Sequence, residues 1–310
     1  MSVCLGLDTS NYTTSAAAYR PDGTGRNEGR LLTVPEGGMG LRQSDALFQH
    51  VKRLPDRIRA LREAGWLEEP IIAVGASTRP RSVEVSYMPC FLAGESQGRS
   101  LAAALDVPFY GFSHQEGHLA AACWSAGRME LLDQPFLAWH LSGGTTELLL
   151  VEPQGRSVAA TCIGGTTDLS AGQLIDRTGR LLELPFPAGK GLDALSQASD
   201  CQAFFRVKIG QDLRFSLSGM ENQAKAMAQQ GREPCDIARF TLLTVAETVR
   251  RVTNQAMGRY PGLPVLCSGG VASNSLLRAV MQDAVFAEPQ YSTDNAMGIA
   301  ILTNRQLNGD

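Results

Sequence analysis

Several things are scarce in this 310-residue chain, and each shortage excludes a class of protein. The seven cysteines stand singly at 4, 90, 123, 162, 201, 235 and 267, with no C-x-x-C spacing. Their odd number argues against a disulfide framework, and their mostly apolar or small-residue surroundings read as reduced, buried thiols of a cytoplasmic protein. No apolar run approaches the ~18 residues of a membrane span, and Met1-Ser-Val-Cys-Leu-Gly-Leu-Asp8 starts a strand where a signal peptide would need a basic start. Neither sign of charge is in surplus. With 28 Lys and Arg against 31 Asp and Glu the formal net charge is -3, so any contact with RNA must use a local patch or a partner protein. There is no Walker or dinucleotide fingerprint, and no low-complexity or strongly charged segment.

Histidine is scarce too, and here the scarcity is informative. Two of the four histidines fall in His114-Gln-Glu-Gly-His118, four residues apart. On a helix this spacing puts both imidazoles on one face, close enough to share a divalent metal. A third ligand must come from elsewhere, and Asp294 in Ser292-Thr-Asp-Asn295 is the natural one; two imidazoles and a carboxylate leave positions open for substrate. Spacing alone leaves the plainer reading open, two solvated histidines on a helix surface.

With 44% hydrophobic residues the chain can bury a large core, and its length suggests about two domains of about 150 residues. Val3 to Leu7 and Thr13 to Tyr19 read as a hairpin around the hydroxyl-bearing turn Asp8-Thr9-Ser10, with Pro21-Asp-Gly23 making the next turn. Ser44 to Ala64 is helical in period, with Pro55 implying a kink or two shorter helices. Strands are expected at 71–76 and 107–112 and a helix at 90–105. Phe136 to Leu141, Ser142-Gly-Gly-Thr-Thr146 and Glu147 to Val151 repeat the strand, turn, strand plan of the N-terminus, which hints at internal duplication. Helices are expected at 169–184, 234–259 and 274–281 and from 295 to about Leu307, with a buried strand at 264–268.

Three Gly-rich turns are read as following strands: Ser142-Gly143-Gly144-Thr145, Ala188-Gly189-Lys190-Gly191 and Ser268-Gly269-Gly270-Val-Ala-Ser-Asn274. Such turns let backbone N–H groups cradle phosphate oxygens without a P-loop lysine. Each alone also suits a structural connection, but three beside Thr, Asn and Asp residues fit a nucleotide cleft. Asp8, Asp176, Asp193 and Asp294 sit at strand ends or near these loops, where a carboxylate can bind ribose hydroxyls or metal, or simply cap a turn.

Gly6-Leu-Asp8-Thr-Ser10, His114-x-Glu-Gly-His118, Leu141-Ser-Gly-Gly-Thr145, Ala171-Gly-Gln-Leu-Ile-Asp176, Phe215-Ser-Leu-Ser-Gly219, Ser268-Gly-Gly-Val-Ala-Ser-Asn274 and Ser292-Thr-Asp-Asn295 occur in one order across nearly the whole chain. In this the chain resembles the tRNA threonylcarbamoyladenosine transferase family. The resemblance implies an α/β, two-lobed actin-like ATPase fold, shared with sugar kinases and heat-shock ATPases, with a central nucleotide cleft. Its expected division is an N-terminal lobe at 1–118, a C-terminal lobe at 119–297, and a C-terminal helix at 298–310 packing back on the first lobe. It implies transfer of a threonylcarbamoyl group from its adenylate to N6 of adenosine 37 in tRNAs that read codons beginning with A.

By the same resemblance His114, His118 and Asp294 are metal ligands for one divalent ion, iron or zinc. Asp8 and Ser10 belong to the catalytic turn, and Leu141, Ser142, Gly143, Gly144, Thr145, Asp176, Gly189, Asp193 and Asn274 are nucleotide or substrate contacts. ATP or an adenylate is the implied ligand, with or without Mg. The implied partners are tRNA, a paralogous partner protein and a small ATPase, in a homo- or heterodimer and with no membrane. The chain departs from the family at Asn11-Tyr12-Thr13-Thr14, where an acidic pair is usual, at Arg79-Pro-Arg-Ser-Val-Glu-Val-Ser-Tyr-Met-Pro-Cys90, and near Glu221, where a lysine is usual. The departures leave two alternatives beside the tRNA transferase: a divergent paralogue carbamoylating another acceptor, and a non-catalytic nucleotide-binding scaffold.

Overall fold

The computed structural model describes residues 2–10, 12–34, 41–82 and 87–308. In chain order β1 (Val3–Asp8), β2 (Thr13–Tyr19), β3 (Gly25–Leu31), α1 (Gln43–Glu63), β4 (Ile71–Arg79), α2 (Phe91–Leu105), β5 (Phe109–Ser113) and α3 (His114–Ser125) come first. They are followed by β6 (Phe136–Leu141), β7 (Thr146–Gln154), β8 (Ser157–Thr166), α4 (Ala171–Leu181), α5 (Gly189–Ser196), β9 (Arg214–Phe215), α6 (Ser218–Gln229) and α7 (Pro234–Met257). The chain then forms β10 (Val265–Ser268), α8 (Ser275–Val280), β11 (Val285–Phe286) and α9 (Met297–Leu307).

Two compact units result. The first holds Met1–Gln134, Glu152–Ala160 and Gln290–Asp310; the second holds Pro135–Val151 and Thr161–Pro289. These divisions differ from boundaries at 118 and 297, since α3 runs unbroken through 118 and Gln290 already belongs to the first unit. The first sheet has the order β3-β2-β1-β4-β5, with β1–β2 and β2–β3 antiparallel and β1–β4 and β4–β5 parallel. The second sheet contains β8-β7-β6-β10-β11 with β9 added beside β8; β6–β7 is antiparallel, and β10 is parallel to both β6 and β11. One strand order therefore occurs twice, each time built on a hairpin followed by parallel strands.

Burial explains why these segments form these elements. Every residue of β1 and β2 is buried, which suits central strands, while β3 carries Arg26, Asn27, Glu28 and Arg30 on the sheet edge. In the second unit Trp139 is fully buried in β6, and its indole N–H donates to Thr253 Oγ1 at 2.8 Å, so the one polar atom of this side chain is satisfied. All seven cysteines are free. Burial pushes the thiols of Cys4, Cys123 and Cys267 up to about 12 and that of Cys90 to about 11, so none of the four is a ready nucleophile near neutral pH.

Three expectations need correction. α1 is one helix and is not split at Pro55; Val51, whose carbonyl loses its bond to residue 55, and Pro55 itself are both exposed, so water can satisfy the freed carbonyl. The segment 188–191 does not follow a strand: it is the start of α5, reached from α4 through a loop with a cis peptide before Pro187. Gly269 and Gly270 lead first into a 3-10 turn at Gly270–Ser273, and α8 starts only after Asn274. Among the described residues no helix is long and apolar enough to cross a membrane.

Candidate metal centre and nucleotide pocket

The metal candidates in the first unit are assembled by close backbone packing. Gly117, between the two histidines, faces α9: a Cβ there would lie 2.9 Å from Ile299 Cδ1, and one on Gly298 would lie 1.7 Å from the Gly117 carbonyl oxygen. Only glycine at both positions lets α3 and α9 approach this closely. Asp294, three residues before α9, is thereby carried to the histidine face. The start of α3 is fixed by a capping box, in which Glu116 N–H donates to Ser113 Oγ at 3.2 Å and Glu116 Oε2 accepts from Ser113 N–H at 2.7 Å. Glu116 also accepts from Ser82 Oγ at 2.7 Å and Ser157 Oγ at 2.5 Å, so its buried carboxylate anchors the helix.

The imidazoles meet at their Nε2 atoms, 2.8 Å apart, and Asp294 Oδ1 lies 3.4 Å from His114 Nε2 and 3.5 Å from His118 Nε2. All three donor atoms fall within 4.8 Å of one another. Behind them, His114 Nδ1–H donates to Asp8 Oδ2 at 2.7 Å, and Asp8 Oδ1 accepts from Ser10 N–H at 2.8 Å. A neutral imidazole whose Nδ1 proton is held this way turns the Nε2 lone pair toward the cluster, the usual carboxylate support of a ligating histidine. Nitrogen, nitrogen and carboxylate oxygen converging on one point fit a three-ligand, open metal site.

The electrostatics agree with the geometry. Burial would raise the Asp8 carboxyl, yet the charge and hydrogen bond of His114 hold it below its usual value. Burial likewise opposes charge on Asp294, but hydrogen bonds and charge from His114 and His118 keep that carboxyl well below the carboxylate range. For His114, burial lowers the pKa while Asp8 and Asp294 raise it, and the net is about 10. The cluster is therefore a place where positive charge is stabilised, whether as a proton or as a cation.

Sequence reasoning named Asp8 and Ser10 as catalytic. Asp8 is fully buried with its carboxylate engaged by Ser10 and His114, and Ser10 is buried with no partner for its Oγ among the described residues. Of the departures from the family pattern, Asn11 and residues 83–86 lie outside the described residues, and Tyr12 is exposed. Two residues near the centre were missed. His50 on α1 is fully buried, shares a 2.8 Å hydrogen bond with Thr14 Oγ1 through Nδ1, and is lowered to about 4 by burial, partly opposed by Asp8. Glu116, the capping anchor, was readable from the spacing Ser113-x-x-Glu116.

The nucleotide candidates lie in the second unit, where a cavity of about 670 Å³ is lined by Gly143, Gly172, Asp176, Gly189, Asp193, Gly270 and Asn274 among others. That size is in the range of small-molecule sites. Ser142 N–H donates to Thr145 O at 2.8 Å and Thr145 N–H to Ser142 Oγ at 3.1 Å, closing the turn that presents Gly143 and Gly144. A Cβ on Gly143, Gly144 or Gly270 would meet nothing within 4 Å, so these backbones border open space. Leu141, by contrast, is a fully buried core residue.

The cavity's carboxylates are partly engaged. Asp176 Oδ1 accepts from Ala188 N–H at 2.9 Å and sets the start of α5, while Asp193 Oδ1 accepts from Ser275 Oγ at 2.8 Å and N–H at 3.2 Å. Asn274 caps α8 through Oδ1, accepting from Leu276 and Leu277 N–H at 2.8 and 3.2 Å; its buried Nδ2 has no partner among the described residues. An unsatisfied buried donor on a cavity wall marks a place for a ligand acceptor. Ile175, Leu242 and Val271 supply apolar wall, which the Gly-rich pattern did not reveal. The Phe215-Ser-Leu-Ser-Gly219 motif serves a local clasp: Asp168 accepts from Ser216 Oγ at 2.5 Å and Leu217 N–H at 2.9 Å. Glu221 pairs with Arg177 and Lys225, each at 2.7 Å.

The family model for tRNA N6-adenosine threonylcarbamoyltransferase (TsaD) matches residues 36–301. A curated protein of that name from Thermus thermophilus is 32% identical over 97% of this chain and 92% of its own length. Another of that name, from Streptococcus gordonii, is 34% identical over 80% of this chain and 75% of its own. Among solved structures, full-length HypF in a phosphate- and nucleotide-bound form superposes with a TM-score of 0.63 at 12% identity, over the whole of this chain and 47% of HypF. A ROK hexokinase from Thermus thermophilus superposes with a TM-score of 0.55 at 16% identity, over 99% of this chain and the whole of the hexokinase. These structural likenesses establish the fold, that of the actin-like ATPases and sugar kinases.

Proposed function

We propose, from the premise that the chain belongs to the tRNA N6-adenosine threonylcarbamoyltransferase family, that it transfers a threonylcarbamoyl group from its adenylate to N6 of adenosine 37 in tRNA. In that reaction N6 forms a bond to the carbamoyl carbon, the bond from that carbon to the phosphate oxygen breaks, AMP leaves and N6 releases a proton. The observation that carries the reading is the convergence of His114 Nε2, His118 Nε2 and Asp294 Oδ1 within 4.8 Å in a chain that matches the family over residues 36–301.

His114, His118 and Asp294 would hold one divalent iron or zinc ion, which supplies Lewis-acid polarisation of an oxygen when bound. Asp8 acts behind His114, fixing its tautomer and ring orientation, and is a positioning residue in this reading. Gly143 and Gly270 give a ligand access to backbone, Ile175, Leu242 and Val271 offer apolar surface to a purine, and Asn274 Nδ2 donates to an acceptor on the ligand. Asp176 and Asp193 each keep a second carboxylate oxygen for ribose hydroxyls. The partners in this reading are tRNA, the adenylate, a paralogous partner protein and a small ATPase, in the cytoplasm.

The test is incubation of the pure protein with threonylcarbamoyl-adenylate and unmodified tRNA, with and without the accessory proteins, followed by mass spectrometry of the nucleosides. Modified adenosine is the expected product. Absence of the modified nucleoside under both conditions would sink the tRNA assignment, and adenylate turnover independent of tRNA would point to another acceptor.

A further inference from the structure

The second unit carries a concentration of positive charge that neither candidate site uses. Residues 204–214 and 247–259 hold six cationic side chains against two acidic ones, in a chain whose acidic residues otherwise outnumber its basic ones. The structure brings these two stretches together. Arg251 Nη1 donates to the Val207 carbonyl at 2.9 Å, Gln255 Nε2 to the Gly210 carbonyl at 2.9 Å, and Arg259 to the Gln211 carbonyl. The donors are four residues apart, one stripe along α7 and its end. The segment 207–211 therefore lies along that stripe with its carbonyls turned to the helix, while Arg206 and Lys208, on either side of buried Val207, are exposed.

Surface arginines and lysines at this density are ordinarily interspersed with carboxylates. Here Arg250 pairs with Glu247 at 2.6 Å, and Asp212 Oδ1 accepts from the backbone N–H of Arg214. Arg206, Lys208, Arg251 and Arg259 have no carboxylate in ion-pair contact among the described residues. Burial and the neighbouring charges of Arg206 and Arg250 push Arg251 down, only partly opposed by Glu247, so like charges are held close. A helix C-terminus favours cations, which accounts for Arg259 but not for Arg206 and Lys208, which come from another segment. Like charges held together with too few counter-charges cost stability, and a polyanion relieves that cost on binding.

We propose that the face formed by Arg206, Lys208, Arg251 and Arg259 is a docking surface for the phosphate backbone of RNA, an inference that rests on the tRNA-transferase reading and locates part of its substrate contact on the second unit. It supplies the local patch that a chain of net charge -3 needs to hold RNA.

The test uses Arg206→Glu/Lys208→Glu in the full chain. Both positions are exposed and neither provides a carbonyl staple, so an unchanged circular dichroism spectrum and thermal midpoint are expected. Binding of unmodified tRNA is measured by fluorescence anisotropy between 50 and 200 mM salt, beside binding of an adenylate analogue. The expected result is tRNA affinity weakened about tenfold or more, a salt dependence of log affinity shallower by about 1.5, and unchanged analogue binding. Wild-type tRNA binding that the variant reproduces in affinity and salt slope would overturn the surface and leave the transferase reading standing. Wild-type protein that binds no tRNA, alone or with accessory proteins, would overturn both. Polyglutamate binding that is lost in the variant while tRNA binding is kept would assign the face to an acidic polypeptide and overturn the RNA proposal.

Discussion

The two units repeat one strand order yet build their candidate sites from different parts of the chain. In the first unit the cluster is made of side chains: two imidazoles and two carboxylates from β1, α3 and the loop before α9, linked by contacts of 2.7 to 3.5 Å and backed by a buried core. In the second the cavity is bordered largely by backbone at Gly143, Gly172, Gly189 and Gly270, with apolar walls and carboxylates already partly engaged. A side-chain site is broken by deleting an atom, and a backbone site is broken by adding one. In the proposed reading one topology serves a localised cation and a large, partly apolar ligand, and the two sites should respond to opposite kinds of mutation.

The largest effect is expected for His114→Ala, which removes a converging nitrogen and breaks the link to Asp8; metal affinity should fall by at least about 100-fold, and transfer with it, while nucleotide binding stays within twofold by calorimetry. Next is Asp8→Asn, which keeps the shape but loses the charge that holds His114, and which should weaken metal binding by about 10- to 100-fold in a chelator competition. Asn274→Ala should weaken nucleotide binding by about tenfold and, through loss of the α8 cap, lower stability by about 1 kcal/mol, with metal content unchanged. Gly143→Val tests the other half of the comparison. Nothing lies within 4 Å of the added Cβ, so the thermal midpoint should hold while nucleotide affinity drops; tight nucleotide binding by this variant would remove Gly143 from the cavity's working surface.

A separate effect, on stability alone, concerns acid. His50 is lowered to about 4 in the folded protein, so between about pH 6.5 and 4 the unfolded chain takes up a proton that the folded one refuses. Stability should fall across that window by about 3 kcal/mol. Asp8, whose pKa is lowered, contributes stability that is present above its unfolded value of 3.8 and lost at still lower pH. Denaturant titrations at pH 7 and 4.5 should show the His50 component in the wild type and a reduced pH dependence in His50→Gln; identical pH dependence would mean that His50 is not held neutral.

Much of this was legible in the sequence because the signals were local. The i, i+4 histidine spacing and the strand, turn, strand echo are set within a few residues; the caps Ser113-x-x-Glu116 and Ser170-x-x-Gln173 are as local and were overlooked. The rest of what escaped depended on distant partners. β3 has the polar composition of an edge strand and no apolar alternation. α5 and α6 are short, and Gly189 reads equally well as a turn or a helix start. The contact of Asp8 with His114 spans 106 residues, and His50 shows no local pattern that sets it apart from a surface histidine. The wall formed by Ile175, Leu242 and Val271 comes from three separate elements, so periodicity could mark each as core but not as cavity.

The most direct measurement is the metal content of the wild type and of His118→Ala, purified without chelator or metal-affinity resin and determined by elemental analysis. Removing His118 takes away one of three converging donors on a helix whose packing is carried by Leu119, Ala120, Ala121 and Cys123, so the fold should survive. The account predicts about one iron or zinc ion per wild-type chain and essentially none in a folded His118→Ala variant that still binds nucleotide. Full metal occupancy and unchanged transfer in His118→Ala would contradict it and return the pair to two histidines on a helix surface.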